Sequence, residues 1–303
     1  MKRVLRHAVS LAAPLLWKKF FHGRPPNPWL NRRIPVTISF DPDYPEDVEA
    51  IPKLLELFGT FGWKTSFACI GRWVEKYPRI HHAILDQGHE IINHTFDHPN
   101  NELLNSKQFF NKLSEKEQEE QIAGFEATAK KILDYTPVGF RSPHFGDLHT
   151  QSVYAILERR GYTYSSSTHW TVTNSQGRPY RPSKTDFHRK DENNGYRLLE
   201  LPMASCPRHY FPVFDTWHCY RTQPPAHPKA GQFKTVFQEA VTLAQKNQAY
   251  ANFYFAAHDV VHNPDFEESL VWLKNKDVSV GRSDHVAAEW AKTNGKRTEK
   301  EGT

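Results

Sequence analysis

The stretch Ile34-Pro35-Val36-Thr37-Ile38-Ser39-Phe40-Asp41-Pro42-Asp43 decides how the chain is read. Ile34 to Phe40 is a short β-branched run, and the Asp-Pro-Asp turn stops it, so it predicts a strand. From Glu46 to Phe61, Val48, Ile51, Leu54, Leu55 and Phe58 recur at helical spacing, which predicts a helix directly after the turn. Asp41 and Asp43 alternate along the strand end, so one carboxylate can take a cation while the other stays free as a base. Alone, the two acids read better as turn residues capping the following helix.

Working outward, the same unit repeats. Strands are predicted over Thr65–Ile70, His89–Ile92, Val138–Arg141, Thr163–Ser166, Leu198–Leu201 and Phe253–Ala257. Helices are predicted over Tyr77–Asp86, Glu115–Asp134, Thr150–Arg160, Gln232–Lys246 and from Phe266. Such alternation gives a mostly parallel sheet wound with helices. His169 to Gly195 is polar and too long for an ordinary connection, so it reads as a functional loop or hairpin insertion. The globular part is expected over 34–291, with a basic leader over 1–33 and a solvated tail over 292–303.

A second signal follows the third strand: His94-Thr95-Phe96-Asp97-His98. Two histidines at i and i+4 can face one ion from a single helical turn, with a carboxylate completing a three-ligand site that leaves room for solvent. On spacing alone, ordinary polar residues are the better reading of such a pair. The placement raises its weight. Asp41 and Asp43 follow the first strand, His94 and His98 the third, Arg141 the fourth and His258 the last, and in a parallel barrel those strand ends converge on one face.

In motif order these residues resemble the polysaccharide deacetylases of the NodB-homology class, in their Asp-x-Asp branch. Ser39-Phe40-Asp41-Pro42-Asp43, the His94/His98 pair, Arg141-Ser142-Pro143 and His258 after an apolar strand carry the resemblance, over roughly Ile34 to Asn263. It implies a distorted (β/α) barrel of about seven parallel strands. It also implies metal-dependent hydrolysis of an N-acetyl amide on an aminosugar of a glycan or lipid-linked saccharide. By that match Asp43, His94 and His98 hold one divalent metal, zinc first and Fe, Co, Ni or Mn as alternatives. A metal-bound water is then the nucleophile, Asp41 the base, His258 the acid, and Arg141 the partner that keeps the Asp41 pKa low. Pro143, His144, Phe145, Trp170, Leu201 and Met203 are the expected substrate and oxyanion residues. The chain departs from the pattern at Tyr164-Ser165-Ser166-Ser167, where relatives carry an Asp that orients the acid, and Asp259 is a candidate replacement. An allantoinase-like ureide amidohydrolase and a non-catalytic glycan-binding module are the alternatives.

Composition bounds the rest. With 303 residues, 38% of them hydrophobic, the chain can bury a full core, and its 8 Trp, 12 Tyr and 20 Phe read first as core. The net charge of +5 comes without any nucleic-acid-binding signature, so no nucleic-acid partner is expected. Much of the excess sits in the leader, where Leu5, Val9, Leu15, Leu16, Trp17, Phe20 and Phe21 stand beside Lys and Arg. Residues 1–24 therefore read either as an interfacial anchor on a membrane or as a helix packed on the fold, with Pro14 kinking it. The widely spaced Cys69, Cys206 and Cys219 make no disulfide framework, which fits a cytoplasmic protein, at the membrane surface if the leader binds there. Oligomeric state is left open.

Overall fold

The computed structural model describes residues 2–23, 33–145 and 149–298, with the side chains of 2–8 and 294–298 excepted. The linker read over Arg24 to Pro28 and the end of the tail lie outside the described residues.

The deciding stretch forms β1 (Ile34–Phe40), buried at every position. A strand covered on both faces is what a parallel sheet under helices requires. Helix α1 (Lys2–Phe20) precedes it, and α2 (Pro45–Phe61), β2 (Ser66–Cys69), α3 (Gly71–Lys76), α4 (Pro78–Asp86), β3 (Glu90–Asn93) and α5 (Glu115–Leu133) follow. The chain continues through β4 (Gly139–Phe140), α6 (Gln151–Arg159), β5 (Tyr164–Ser165), β6 (Leu199–Glu200), α7 (Gln232–Lys246) and β7 (Ala251–Phe255). It closes with α8 (Ala257–Val261), α9 (Pro264–Lys274), β8 (Val278–Val280) and α10 (Ser283–Thr298).

Seven strands lie in the row β6-β5-β4-β3-β2-β1-β7, and β8 pairs with the start of β1. Every ladder is parallel. The register aligns Phe40 with Phe67, Cys69 with Asn93, Asn93 with Phe140, and Phe140 with Ser165. The residues that leave β1, β3, β4 and β5 are therefore Asp41, His94, Arg141 and Ser166, all at one end of the sheet. Among the described residues no ladder joins β6 to β7, so the barrel has a seam. Asn252 spans it: its Nδ2 donates to Leu201 O at 2.9 Å and Ser166 Oγ at 3.0 Å, and its carbonyl accepts from Ala204 N–H at 2.7 Å.

Sequence and structure differ at identifiable places. Helices α3 and α8 and strand β8 are short and were not expected, and α10 runs to residue 298, past the expected boundary at 291. The last predicted strand lies two residues earlier, so His258 sits in α8 rather than at a strand end. Pro14 lies inside a continuous α1. That helix is docked on the fold. Ala13, Trp17 and Phe21 are buried, Trp17 Nε1 donates to Pro207 O at 2.8 Å, and the Trp17 ring meets Trp170 and Tyr210 edge-on. Among the described side chains, Trp17 and Phe21 of the apolar face expected to meet a bilayer are used internally, while Leu15 and the neighbouring Leu11 are exposed. Among the described residues no helix is long and apolar enough to cross a membrane.

Asn252 is completely buried, so its loss takes the amide donor from Ser166 Oγ and leaves Leu201 O with the Ser166 hydroxyl alone, without solvent to replace it. Asn252→Ala should cost about 1–3 kcal/mol in urea unfolding, whereas an exposed substitution such as Lys246→Ala should stay within about 0.5 kcal/mol.

Candidate active site

Asp41 is nearly buried, and its N–H donates to Phe255 O of β7 at 3.3 Å. The Arg141 guanidinium pairs with Asp41 Oδ1 through Nη1 and reaches Ser39 Oγ at 2.9 Å and Ser166 O at 3.2 Å. Arg141 is completely buried, so one side chain ties β1, β4 and β5 together beneath the site. The Tyr254 ring lies 5.7 Å from the guanidinium carbon, and the Tyr254 hydroxyl donates to Asp215 Oδ2 at 2.8 Å.

Two residues on, Asp43 is held by its backbone. Its N–H donates to Asp41 O at 3.0 Å, and its carbonyl accepts from Trp73 Nε1 at 3.0 Å and Asn101 Nδ2 at 2.9 Å. Its Oδ1 lies 3.4 Å from His94 Nε2 and 3.5 Å from His98 Nε2. His94 Nδ1 faces Arg141 O at 2.8 Å, a contact only an N–H can make, which leaves Nε2 as the nitrogen turned toward Asp43.

The two histidines do not share a helical turn. Thr95 and His98 are left-handed, with φ of 69° and 51°, and the bend is fixed by Thr95 N–H to Asn93 Oδ1 at 2.8 Å and His98 N–H to Thr95 Oγ1 at 3.2 Å. Left-handed backbone at residues with a Cβ costs of order 1–3 kcal/mol and persists where the surroundings impose it. Here it aims His98 back at Asp43.

These residues fit a divalent cation. Asp43 Oδ1 and both ring nitrogens of His98 are buried without a hydrogen-bond partner, and Asp43, His94 and His98 each offer a ligand atom within 4.8 Å of the others. Buried polar atoms without partners are costly, and one ion would satisfy Asp43 Oδ1 and His98 Nε2 together.

Electrostatics separate the roles. Burial penalises charge on Asp43, but the imidazoles beside it, His98 and His94, outweigh it and hold its carboxyl down to about 2, and of the two it is His94 that keeps a proton to attract it. Burial drives His98 down to about 3, so it is neutral, as a ligand must be. For His94 burial pulls down and the Asp43 and Asp41 carboxylates pull up, with a net rise. Asp41 moves the other way from Asp43. Burial raises it, and Arg141 and His94, which both pull it down, offset only part of that rise.

The remaining expected site residues divide. Pro143 is buried; His144, exposed and left-handed at φ 43°, puts its ring 5.1 Å from that of His98; Phe145 meets Tyr254 edge-on at 4.7 Å. Met203 lies beneath the site, its Sδ 4.0 Å from Arg141 Nη2. Met203, Leu201 and Trp170 are all completely buried, so none of them can touch substrate. Trp170 was expected among the substrate residues, but its indole fills the space under Trp17 of α1 and Phe21 just after it. His258 lies at the same end of the sheet with an exposed ring, and its N–H donates to Asp47 Oδ1 at 2.9 Å. Among the described residues no hydrogen bond or ion pair ties that ring to the ligands. Asp259 pairs with Arg221 at 2.7 Å instead of orienting His258.

The Ser165–Ser167 departure has a structural role. Ser167 N–H and Thr168 N–H donate to the buried Glu200 Oε1 at 2.7 and 2.9 Å, and Ser165 Oγ donates to Ser167 Oγ at 2.9 Å. Sequence reasoning missed Ser39, Asn93, Trp73, Asn101, Asp215 and Tyr254. Ser39 and Asn93 were accessible as polar residues beside an acid or ligand at a strand end; the others come from unrelated stretches.

Residues 31–165 match the family model described as polysaccharide deacetylase. A peptidoglycan-N-acetylglucosamine deacetylase of Bacillus cereus is 33% identical over 120 residues, which span 40% of this chain and 40% of that protein. A Mycobacterium smegmatis protein assigned as a polysaccharide deacetylase shares the fold with TM-score 0.69 at 15% identity, covering 87% of this chain and 92% of that one. An allantoinase does so with TM-score 0.67 at 13% identity, covering 90% and 96%. At such identities the likeness is one of fold. The resemblance to polysaccharide deacetylases stands, and Asp41, Asp43, His94, His98 and Arg141 all lie inside the matched residues, whereas His258 lies beyond them.

Removing the orphaned imidazole should empty the centre without disturbing the fold. His98→Ala is expected to lower the metal content of purified protein by one equivalent per chain in elemental analysis, while His258→Ala leaves it unchanged.

Proposed function

We propose that the chain is a metal-dependent N-deacetylase that hydrolyses the N-acetyl amide of an aminosugar in a glycan or lipid-linked saccharide. The observation that carries this reading is the pairing of a buried Asp41–Arg141 couple with an adjacent but separate Asp43–His94–His98 ligand set. Two carboxylates two residues apart, one with its affinity for a proton raised and one with it lowered, divide into a base and a ligand.

Asp43, His94 and His98 would hold the ion, zinc first, which when bound polarises the amide carbonyl and lowers the pKa of water toward ~7. Asp41 takes the proton from the attacking water, and Arg141 orients the Asp41 carboxylate through its fixed contacts to Ser39 and Ser166. The backbone N–H of His144 serves the oxyanion from the turn at the mouth. His258, exposed at the same end, donates the proton that lets the amine leave. A sugar substrate is supported by Trp217, which is 60% exposed on the segment whose Asp215 and Thr216 hold Tyr254 and Ala256. An exposed indole offers a flat apolar face with a polar edge. At a membrane surface, the exposed Leu11 and Leu15 beside Lys18 and Lys19 would make the contact.

Acetate release from N-acetylglucosamine oligomers by zinc-loaded protein is the test. Asp41→Asn should lower kcat by ~10²–10⁴ with the metal content intact. Because Asp41 is raised, it protonates as pH falls at a higher pH than an ordinary Asp, so the acid limb of kcat/KM should lie above 3.8 and vanish in Asp41→Asn. Turnover of allantoin without acetate release would reassign the site to ring ureides. No turnover of either by the metal-loaded protein would sink the enzyme reading.

A further inference from the structure

Between β6 and α7 the chain runs irregularly from 201 to 231, interrupted only by a π-helical turn over Trp217–Arg221. Inside this stretch Cys206, His209, His218 and His227 stand in the spacing Cys-x2-His-x8-His-x8-His. Cys206 Sγ lies 3.5 Å from His209 Nδ1 and 3.4 Å from His227 Nε2, and His209 Nδ1 lies 3.0 Å from His218 Nε2. All four donor atoms fall within 4.8 Å of one another. From this convergence we infer that Cys206, His209, His218 and His227 form a second metal site, structural in kind and suited to zinc.

Zinc held tetrahedrally by one thiolate at ~2.3 Å and three imidazoles at ~2.0–2.1 Å sets S···N separations near ~3.6 Å and N···N separations near ~3.4 Å. The observed 3.5 and 3.4 Å for sulfur to nitrogen and 3.0 Å for nitrogen to nitrogen lie close below those values. A purely hydrogen-bonded cluster needs only pairs: a thiol and a neutral imidazole each carry one proton to donate, and nothing in such pairing gathers four donors about a common centre. Cys206, His218 and His227 are buried and His209 is half-buried, so four protein ligands close the site and leave no position for substrate. That is the pattern of a structural rather than a catalytic zinc centre.

The same stretch carries the contacts that such a centre would stiffen. Pro207 O accepts from Trp17 of α1, Arg208 forms two 2.7 Å bonds to Glu239 of α7, and Arg221 pairs with Asp259. Asp215 accepts from His218 N–H through one oxygen and from the Tyr254 hydroxyl through the other. A ligand of the second centre is thus one residue from the Arg141 wall of the first.

The proposal does not rest on the deacetylase reading, and its test needs no turnover. In the variant Asp43→Asn/His94→Ala/His98→Ala, purified from zinc-supplemented culture, one equivalent of zinc per chain should remain. After replacement by Co²⁺ that variant should show an intense thiolate-to-cobalt charge-transfer band, which oxygen and nitrogen ligands cannot give. Cys206→Ser should abolish the band, and chelation should lower the Tm of the triple variant. A triple variant that retains no tightly held metal, or cobalt-loaded protein without a thiolate band, would overturn the assignment. Failure of the deacetylase reading would leave both readouts unchanged.

Discussion

A guanidinium with no access to water sits at the C-terminal end of the sheet, and the site is organised around where its bonds go. Arg141 faces Asp41 and Ser39 from β1 and the Ser166 carbonyl after β5, while its own carbonyl accepts from His94. Removing one partner of a buried ion pair costs about 3–5 kcal/mol because the other charge is left uncompensated. The couple therefore enforces its own completion: the fold that buries Arg141 has to bring Asp41 to it, and bringing Asp41 there sets Asp43, two residues further on, against the histidines. Raised proton affinity at Asp41 and lowered affinity at Asp43 follow from the same burial, decided by which neighbours each carboxylate meets.

The parallel register carries this arrangement across the sheet. Because Asn93, Phe140 and Ser165 end their strands in step, and Phe40 ends β1 two residues short of them in register, the next residue of each strand emerges on one rim. Convergence of that kind can be anticipated from a sequence, since it needs only the ends of strands and the identity of the residues that follow them. β1, α2, β3 and α5 were legible for that reason, with strong period and clear stops at Asp-Pro-Asp, Gln87-Gly88 and Asp134.

What escaped was the part of the molecule whose order comes from tertiary partners. Histidines four apart suggest a helix, yet Thr95 and His98 adopt left-handed backbone because Asn93 and Thr95 side chains bond across the turn. Trp170 was expected at the substrate, yet Trp17 and Phe21 cover it, and nothing local in residues 169–195 signals a contact with residues 17 and 21. The ligands at 206, 209, 218 and 227 are separated by gaps longer than common metal-binding signatures, and only the folded stretch shows them meeting. His258 was placed by its strand, but β7 ends earlier than its apolar run suggested, and an extra helical turn carries the imidazole outward.

The seam between β6 and β7 separates two kinds of sequence. The ion ligands, Asp41 and Arg141 are all supplied before residue 166, by strands locked in continuous ladders, whereas Met203 to Arg221, with the exposed Trp217, hang from a gap bridged by Asn252. Length and composition in that later stretch can change without shifting the register of any strand that carries a ligand. The Asp41–Arg141 couple and the cluster of Asp43, His94 and His98 are thereby written in one part of the chain and the segment that carries Trp217 in another, so exchange of that segment would leave the strands that carry the cluster as they are.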